Sequence, residues 1–245
     1  MSPELRGEAW GIIPARGGSK TIPLKNLVSL GGRPLVHYVI MAGRASRALS
    51  RVICSTEHPQ IAEECRRMGI EVHRRPEPLC ADDTPVLEVL SHLLADVEAK
   101  GDTVPEMIAL LQPTSPFVLP DDIDGAVKSL RADPEADSVQ TLCTLPHNHH
   151  AYNQRVIEDG LVKFRFAAER KECHNKQRKP TFFIFGNLVV TRARTIRVGK
   201  EVFGVRSLSR LVPNAYAIDV DGEEDLKKAE WLLASGQVSL PHTFS

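Results

Sequence analysis

Short apolar runs alternate with helical patterns along most of the chain, and this alternation limits the folds available to it more than any other feature. The strand-like runs cover residues 11–14, 51–55, 71–73, 107–111 and 138–143, and the helical patterns cover residues 34–46, 59–68, 85–98 and 122–130. In the third helix Leu90, Leu93, Leu94 and Val97 follow the spacing of one buried face. Strands that alternate with helices predict an α/β fold, an open Rossmann-like and mainly parallel sheet with helices on both faces.

Size and composition fit a single domain that spans residues 1–245, with 42% hydrophobic and 25% charged residues. No run approaches the ~18–20 apolar residues that a membrane helix needs, so we expect no membrane partner. Residues 1–8 lack the apolar core of a secretory signal. The five cysteines are odd in number and form no C-x-x-C pair, which favours reduced thiols and a cytoplasmic location.

The alternation stops over residues 144–186, a stretch rich in His, Lys and Arg. Because it lacks helical periodicity, we expect an inserted β arm there. A parallel-sheet pattern resumes with residues 187–191 and 215–220, and residues 223–233 predict a closing helix. The last ten residues are expected to fray.

The first strand leads directly into a glycine turn that carries several cations. The turn and its continuation contain Arg16, Gly17, Gly18, Ser19, Lys20, Lys25 and Asn26. Glycines let the backbone approach a phosphate, consecutive N–H groups can hold its oxygens, and the cations neutralise its charge. Neither the Walker A spacing nor G-x-G-x-x-G is present. The turn therefore predicts a triphosphate site of another type, at the carboxyl end of the first strand.

Positive charge is concentrated near this turn. No acidic residue lies between Glu8 and Glu57, whereas the same stretch contains Arg16, Lys20, Lys25, Arg33, Arg44, Arg47 and Arg51. The whole chain is balanced, with 31 basic and 31 acidic residues. A local excess in a neutral protein favours a small anionic ligand over nucleic acid.

Two carboxylates near the end of the chain are candidate metal ligands. Asp219 and Asp221 are two residues apart on a strand-like run, which would place both side chains on one face. Such a pair suits Mg²⁺ bound to phosphate oxygens. Asp221 also fits a helix N-cap with Glu224 three residues later, and the two roles are compatible.

Gln112 follows an apolar run and precedes Pro113, so its amide is presented at a strand end, either to a ligand or to nearby backbone. His147, His149 and His150 invite a metal-site interpretation, but their spacing matches no known ligand geometry. We expect these histidines to belong instead to a polar loop near a substrate pocket.

The glycine turn and three further stretches resemble one family, the cytidylyltransferases that activate acidic nine-carbon sugars, the CMP-sialic acid synthetases. The further stretches are Leu110 to Pro116, Arg75-Pro76 with Asp83-Thr84, and Ile218 to Asp221 followed by Glu224-Asp225-Leu226. The resemblance implies transfer of CMP from CTP to an acidic sugar, with release of pyrophosphate and with Mg²⁺ as cofactor. It also implies a homodimer in which the arm contributes to the sugar pocket and to the dimer interface.

Site residues follow from the same resemblance. It assigns catalysis to Arg16, Lys20 and Gln112, and metal binding to Asp219 and Asp221. It assigns nucleotide binding to Ala15, Arg16, Gly17, Ser19, Lys20, Lys25, Asn26, Arg75 and Thr84. It assigns acceptor binding to Gln112, Thr114, Ser115, Gln177 and Arg178.

The chain departs from the family pattern in the arm. Where sialic acid enzymes carry an arginine before the next strand, this chain has Ile184, and their Asn-Gly is Gly186-Asn187 here. A guanidinium fork is not replaced by an alkyl chain, so the acceptor can be another acid or a phosphonate.

Two other functions stay open. Asp219-Val220-Asp221 also spells the D-x-D pair of glycosyltransferases that use sugar nucleotides. A silent relative that binds nucleotide without turnover is the second alternative.

Overall fold

The computed structural model describes residues 5–173 and 179–243. The strands are β1 (Leu5–Pro14), β2 (Ser29–Leu30), β3 (Arg33–Pro34), β4 (Leu49–Thr56), β5 (Glu71–Arg74), β6 (Pro105–Leu110), β7 (Ser138–Thr144), β8 (Arg155–Glu158), β9 (Leu161–Phe164), β10 (Phe183–Arg192) and β11 (Ser207–Leu211). The helices are α1 (Leu35–Ala45), α2 (Pro59–Arg67), α3 (Val86–Ala99), α4 (Pro120–Ala132), α5 (Ala167–Glu172), α6 (Ala193–Arg197) and α7 (Glu223–Ala234).

Seven strands form one sheet in the order β11-β7-β10-β6-β1-β4-β5. β1 pairs in parallel with β4 and β6, β4 with β5, and β7 with β11. Only β10 runs antiparallel to its neighbours. The predicted mainly parallel α/β sheet is confirmed, and the carboxyl ends of β1, β4 and β6 meet at one edge.

Both faces of the sheet are covered by helices, as β1 illustrates. Ala9 and Ile13 belong to a core that includes α1, α2 and α4, whereas Trp10 and Ile12 belong to a core that includes α3 and α6. Alternate strand residues point to opposite faces. A strand buried on both faces reads as a continuous apolar run, which is why the sequence revealed it.

The C-terminal part of the sheet differs from the prediction. The run 187–191 lies in β10 and is antiparallel, because an apolar run reports burial but not strand direction. The run 215–220 is not a strand: Ile218 and Val220 pack into a core beside α7 without joining the sheet. The edge strand β11 was not predicted, because its half-exposed side chains carry little periodicity.

The arm contains a separate antiparallel hairpin, β8 and β9, joined by a two-residue turn. Asp159 and Gly160 both have positive φ, 52° and 76°, as the favoured hairpin turns require. At the base of the arm His150 stacks on Phe182 with 4.7 Å between ring centroids. The hairpin exposes Ile157, Leu161 and Val162.

Residues 238–243 are packed rather than frayed, and residues 244 and 245 lie outside the described residues. Val238 and Leu240 are buried in the core beside α7, and residues 241–243 form a short helical turn. Apolar anchoring explains the difference from the expectation, since buried side chains hold a terminus in place. Among the described helices, none has the length and apolar character needed to cross a membrane.

Candidate active site

The carboxyl ends of β1 and β6 open on a cleft of about 190 Å³. Its lining comprises Pro14, Arg16, Gly18, Ser19, Lys25, Asn26, Gln112, Pro113 and Thr114. The structure therefore brings the glycine turn together with the segment after β6, at the edge where open α/β sheets place their ligands.

The glycine turn is held by hydrogen bonds from neighbouring segments. Asn26 Nδ2 donates to the carbonyl of Arg16 at 2.7 Å, and the Gly17 N–H donates to Glu57 Oε1 at 2.6 Å. A Cβ on Gly17 would lie 2.5 Å from the His58 ring, so only glycine fits there. Asn26 thus braces the turn through its side chain, and Glu57 takes up one of the turn's N–H groups.

Two of the cations predicted to bind phosphate are already paired with a carboxylate of the protein. The two oxygens of Asp82 lie 2.7 Å from Arg16 Nη1 and 2.9 Å from Lys20 Nζ. Lys20 first, and then Arg16, lowers the pKa of Asp82. An incoming anion must therefore compete with Asp82 or displace it.

Sequence reasoning overlooked Asp82 and Glu57. Glu57 directly follows β4, and Asp82 precedes the quoted Asp83-Thr84 motif. The rule that placed Arg16 at a strand end would also have found Glu57.

The basic stretch between Glu8 and Glu57 does not form a single patch. Arg51 pairs with Glu71 at 2.6 Å and with Asp102 at 2.8 Å, near the amino end of β4. Arg47 lies 3.6 Å from Asp124. The chain crosses the whole length of the sheet between these residues, so a charge run in sequence is divided between opposite edges.

Asp219 and Asp221 lie near each other, but not for the predicted reason. The segment is irregular backbone, and the Val220 N–H donates to the Thr114 carbonyl at 2.7 Å. Desolvation raises the pKa of Asp219, and the charge of Asp221 adds to that rise. Lys25 Nζ is 3.2 Å from Asp221 Oδ1.

The predicted N-cap role of Asp221 is wrong. Gly222 is the cap residue of α7, and Asp225 Oδ2 accepts from the N–H groups of Asp221 and Gly222 at 3.1 and 3.0 Å. The Asp221 carboxylate is therefore available to Lys25 and to a ligand.

Two carboxylates beside a phosphate cleft fit Mg²⁺, which is commonly held by one or two carboxylates together with substrate phosphates. Over residues 5–173 and 179–243, no group of three or more His, Cys, Asp and Glu side chains is arranged to hold a metal ion. Asp219 and Asp221 could therefore hold such an ion only together with ligands from outside this group of side chains.

The other predicted contacts divide into those near the cleft and those away from it. Gln112 and Thr114 line it, whereas Ser115 is buried and donates its N–H to the Gln112 carbonyl at 2.9 Å. Arg75 is 5% exposed and donates to the Ser55 carbonyl at 2.8 Å. Neither Arg75 nor Thr84 lines the cleft, and Gln177 and Arg178 lie outside the described residues.

His150 has a structural role. Its Nε2 lies 3.0 Å from the Pro180 carbonyl, its Nδ1 accepts from the Tyr152 N–H at 3.1 Å, and its ring stacks on Phe182. Both ring nitrogens are used within the arm, so this histidine joins the arm to the start of β10.

The cytidylyltransferase family model matches residues 10–235, which include the cleft and the main sheet apart from the first five residues of β1. The chain belongs to the cytidylyltransferase family. Among curated relatives, it is 28% identical to CMP-N,N'-diacetyllegionaminic acid synthase of Legionella pneumophila, over 94% of this chain and 97% of that one. It is 26% and 28% identical to N-acylneuraminate cytidylyltransferases of Oncorhynchus mykiss and Escherichia coli, of which it spans about half, 49% and 52%.

Two solved structures share the fold of this cytidylyltransferase. A CMP:2-keto-3-deoxy-manno-octonic acid synthetase complexed with CTP superposes with a TM-score of 0.70 at 17% identity, covering 94% of this chain and 99% of the other. A 4-diphosphocytidyl-2C-methyl-D-erythritol synthase from Anaerococcus prevotii superposes at 0.59 and 14% identity, covering 93% and 96%.

Proposed function

We propose that this cytidylyltransferase transfers CMP from CTP to the hydroxyl of an acidic sugar of the nonulosonic acid type and releases pyrophosphate. The observation that carries the proposal is the convergence of Arg16, Lys25 and Gln112 on one cleft, beside the carboxylates Asp219 and Asp221. Cations for a triphosphate and carboxylates for a metal meet at the carboxyl edge of the sheet.

The chemistry is an in-line displacement at the α-phosphorus of CTP. The acceptor hydroxyl oxygen forms a bond to that phosphorus, the bond to the β-phosphate breaks, and the hydroxyl proton leaves to solvent or to pyrophosphate. Negative charge builds on the departing oxygens, so the barrier is lowered mainly by fixed positive charge. Arg16, Lys20 and Lys25 are the cations that would supply it, with N–H groups of the turn other than those of Ala15 and Gly17, which donate to the Ser55 carbonyl and to Glu57.

Mg²⁺ is the proposed cofactor, held by Asp219 and Asp221. Bound there, it would supply further positive charge to the phosphate oxygens. Burial is the main cause of the raised pKa of Asp219 and the negative charge of Asp221 adds to it, so a cation bound between the two carboxylates would offset both effects. The proximity of Lys25 to Asp221 would let the same lysine serve the metal ligand and the phosphates.

The names of the relatives point to an acidic sugar as the acceptor. Its proposed contacts are Gln112, Thr114, Ser115, Gln177 and Arg178. Ile184 is 45% exposed where a sialic acid enzyme has arginine. Arg170 and Lys179 of the arm both donate to Asn153 Oδ1 at 2.8 Å, and they are cations able to meet an acid there.

We also propose a homodimer formed through the arm, because the hairpin exposes apolar side chains without partners in one chain. The free thiols of Cys54, Cys65, Cys80, Cys143 and Cys173 support residence in a reducing compartment such as the cytoplasm.

Pyrophosphate release with Mg²⁺ tests the function. CTP is compared with ATP, GTP and UTP over a panel of acids: N-acetylneuraminic acid, its deaminated analogue, an eight-carbon keto sugar acid and simple phosphonates. Release with CTP and one acidic sugar is the expected result. Release with another nucleotide would refute the cytidine assignment, and sugar transfer without pyrophosphate would favour a glycosyltransferase. Nucleotide binding without any release would favour a silent relative.

A further inference from the structure

A buried histidine that the proposed chemistry does not use lies behind the cleft. His73 is 9% exposed, and in the sheet it is paired directly with Ser55 of β4. Its Nδ1 is 3.3 Å from Ser55 Oγ, and its Nε2 is 3.2 Å from Asp96 Oδ2 of α3. Both ring nitrogens therefore face polar atoms in the interior.

Ser55 links this histidine to Arg75. The Arg75 side chain donates from Nη2 to the Ser55 carbonyl at 2.8 Å, and its Nε lies 3.5 Å from Ser55 Oγ. Ser55 is fully buried, so water does not replace these contacts. A polar chain therefore runs from Asp96 through His73 and Ser55 to an arginine beside the glycine turn.

The positions of the hydrogen atoms between these polar side chains follow from which groups can only donate. A guanidinium can only donate, so Ser55 Oγ accepts from Arg75 and its own hydrogen is directed at His73 Nδ1. That nitrogen must then be unprotonated, so the single imidazole hydrogen lies on Nε2, which is 3.2 Å from Asp96 Oδ2 without the alignment of a hydrogen bond. A second proton on His73 would sit on Nδ1 and point at Ser55, leaving the hydroxyl hydrogen without its acceptor.

We infer that His73 is a positioning residue that holds Arg75 through Ser55, and that protonation of His73 weakens nucleotide binding. The inference rests on the proposed function and on the nucleotide contact that the family resemblance assigns to Arg75, a buried side chain that lies within reach of the charges of Glu57 and Arg16 but does not line the cleft. It adds a pH-sensitive element outside the cleft to the proposed chemistry of the turn.

Several charged groups act on His73. Burial lowers its pKa most, the negative charge of Asp96 opposes that change, and His92 and Lys100 add to it. The imidazole of His92 is 5.4 Å from that of His73, between ring centroids. His73 is therefore neutral at neutral pH and gains its proton in acid.

The test measures KM for CTP and kcat from about pH 5.5 to about pH 8. In the wild-type enzyme, KM should rise in acid while kcat changes less. His73→Asn keeps an acceptor for Ser55 and does not titrate, so its KM should stay low and flat. His73→Leu has no acceptor, and its KM should be raised at every pH by roughly threefold to tenfold, as loss of one hydrogen bond implies.

Two further variants keep the test independent of any folding defect in His73→Leu. Ser55→Ala removes the hydroxyl that links His73 to Arg75. Combining it with His73→Leu should raise KM for CTP no more than either change alone. His92→Gln removes the neighbouring imidazole, whose charge lowers the pKa of His73, so its KM profile should keep the wild-type shape and shift to slightly higher pH.

Nuclear magnetic resonance of the imidazole gives a readout without turnover. If His73 protonation weakens CTP binding, saturating CTP must lower the pKa of His73. An unchanged pKa on binding, or a wild-type pH profile in folded His73→Leu, would overturn the inference. Absence of pyrophosphate release from the wild-type protein would instead refute the proposed function.

Discussion

Arg16 and Arg47 come from the same run of basic residues, yet only Arg16 lines the cleft, whereas Arg47 is largely exposed beside Asp124. We expect Arg16→Ala to lower kcat/KM for CTP by about a hundredfold to a thousandfold, because it removes positive charge from the transition state. Arg47→Ala should stay within about twofold of the wild type. Pyrophosphate release measures both, and near-normal turnover in Arg16→Ala would contradict the phosphate assignment.

The metal assignment depends on Asp219, for which Asp225 provides a matched control. Asp219→Asn should raise the Mg²⁺ concentration for half-maximal rate by about tenfold or more, because an amide is a weaker ligand than a carboxylate. Asp225→Asn removes an equal charge nearby but retains an acceptor for the α7 cap. Its Mg²⁺ titration should stay close to that of the wild type. Matching titrations of the two variants would make Asp219 a structural residue.

At the scale of elements, the hairpin of β8 and β9 carries apolar side chains where a solvated hairpin would be polar. Ile157 and Val162 are 77% and 67% exposed. In light scattering, the double change to lysine should shift a dimer to monomer, because burial of these side chains would drive association. Val205→Lys, at a site 96% exposed outside the arm, is the control and should leave the assembly unchanged. A wild-type monomer would rule out the proposed assembly.

Elements also differ in how far the sequence predicted them. α3 shows its buried face in its own spacing, so it was predicted within one residue at each end. β10 was predicted as a strand but not as an antiparallel one, because the direction of a strand is set by its neighbours. β11 has no such pattern, since pairing with β7 and not hydrophobicity defines it.

For the molecule as a whole, buried histidines predict how stability depends on pH. Burial lowers the pKa of His73 and of His242 from the usual value of about 6.5. Below that pH the unfolded chain binds more protons than the folded one, so the free energy of unfolding falls in acid. The stability that the two neutral histidines contribute is fully present above that pH. Each histidine contributes at most about 1.4 kcal/mol per pH unit.

Urea unfolding at about pH 5.5 and at about pH 7.5 measures this dependence. His73→Asn should reduce the loss of stability in acid, because it removes one of the groups that titrate. His149→Asn, at an exposed histidine, should leave the loss unchanged. An equal loss of stability in all three proteins would show that His73 does not titrate with folding.

The amino-acid sequence by itself determined the fold class, the order of the helices and of the main-sheet strands up to β7, and the glycine turn with its cations, but not the short strands β2 and β3. These are local features: the periodicity of side chains and the composition of a turn are encoded within a few residues. The family resemblance added roles for Gln112, Asp219 and Asp221.

Only the tertiary structure decided which charges share the cleft. It separated Arg47 and Arg51 from Arg16, placed Asp82 against Arg16 and Lys20, and made Gly222, bonded to Asp225, the cap residue of α7. It also joined Asp96, His73, Ser55 and Arg75 into one polar chain. These contacts link residues far apart in sequence. They depend on strand order and helix placement, which burial across the whole sheet fixes and which no local pattern encodes.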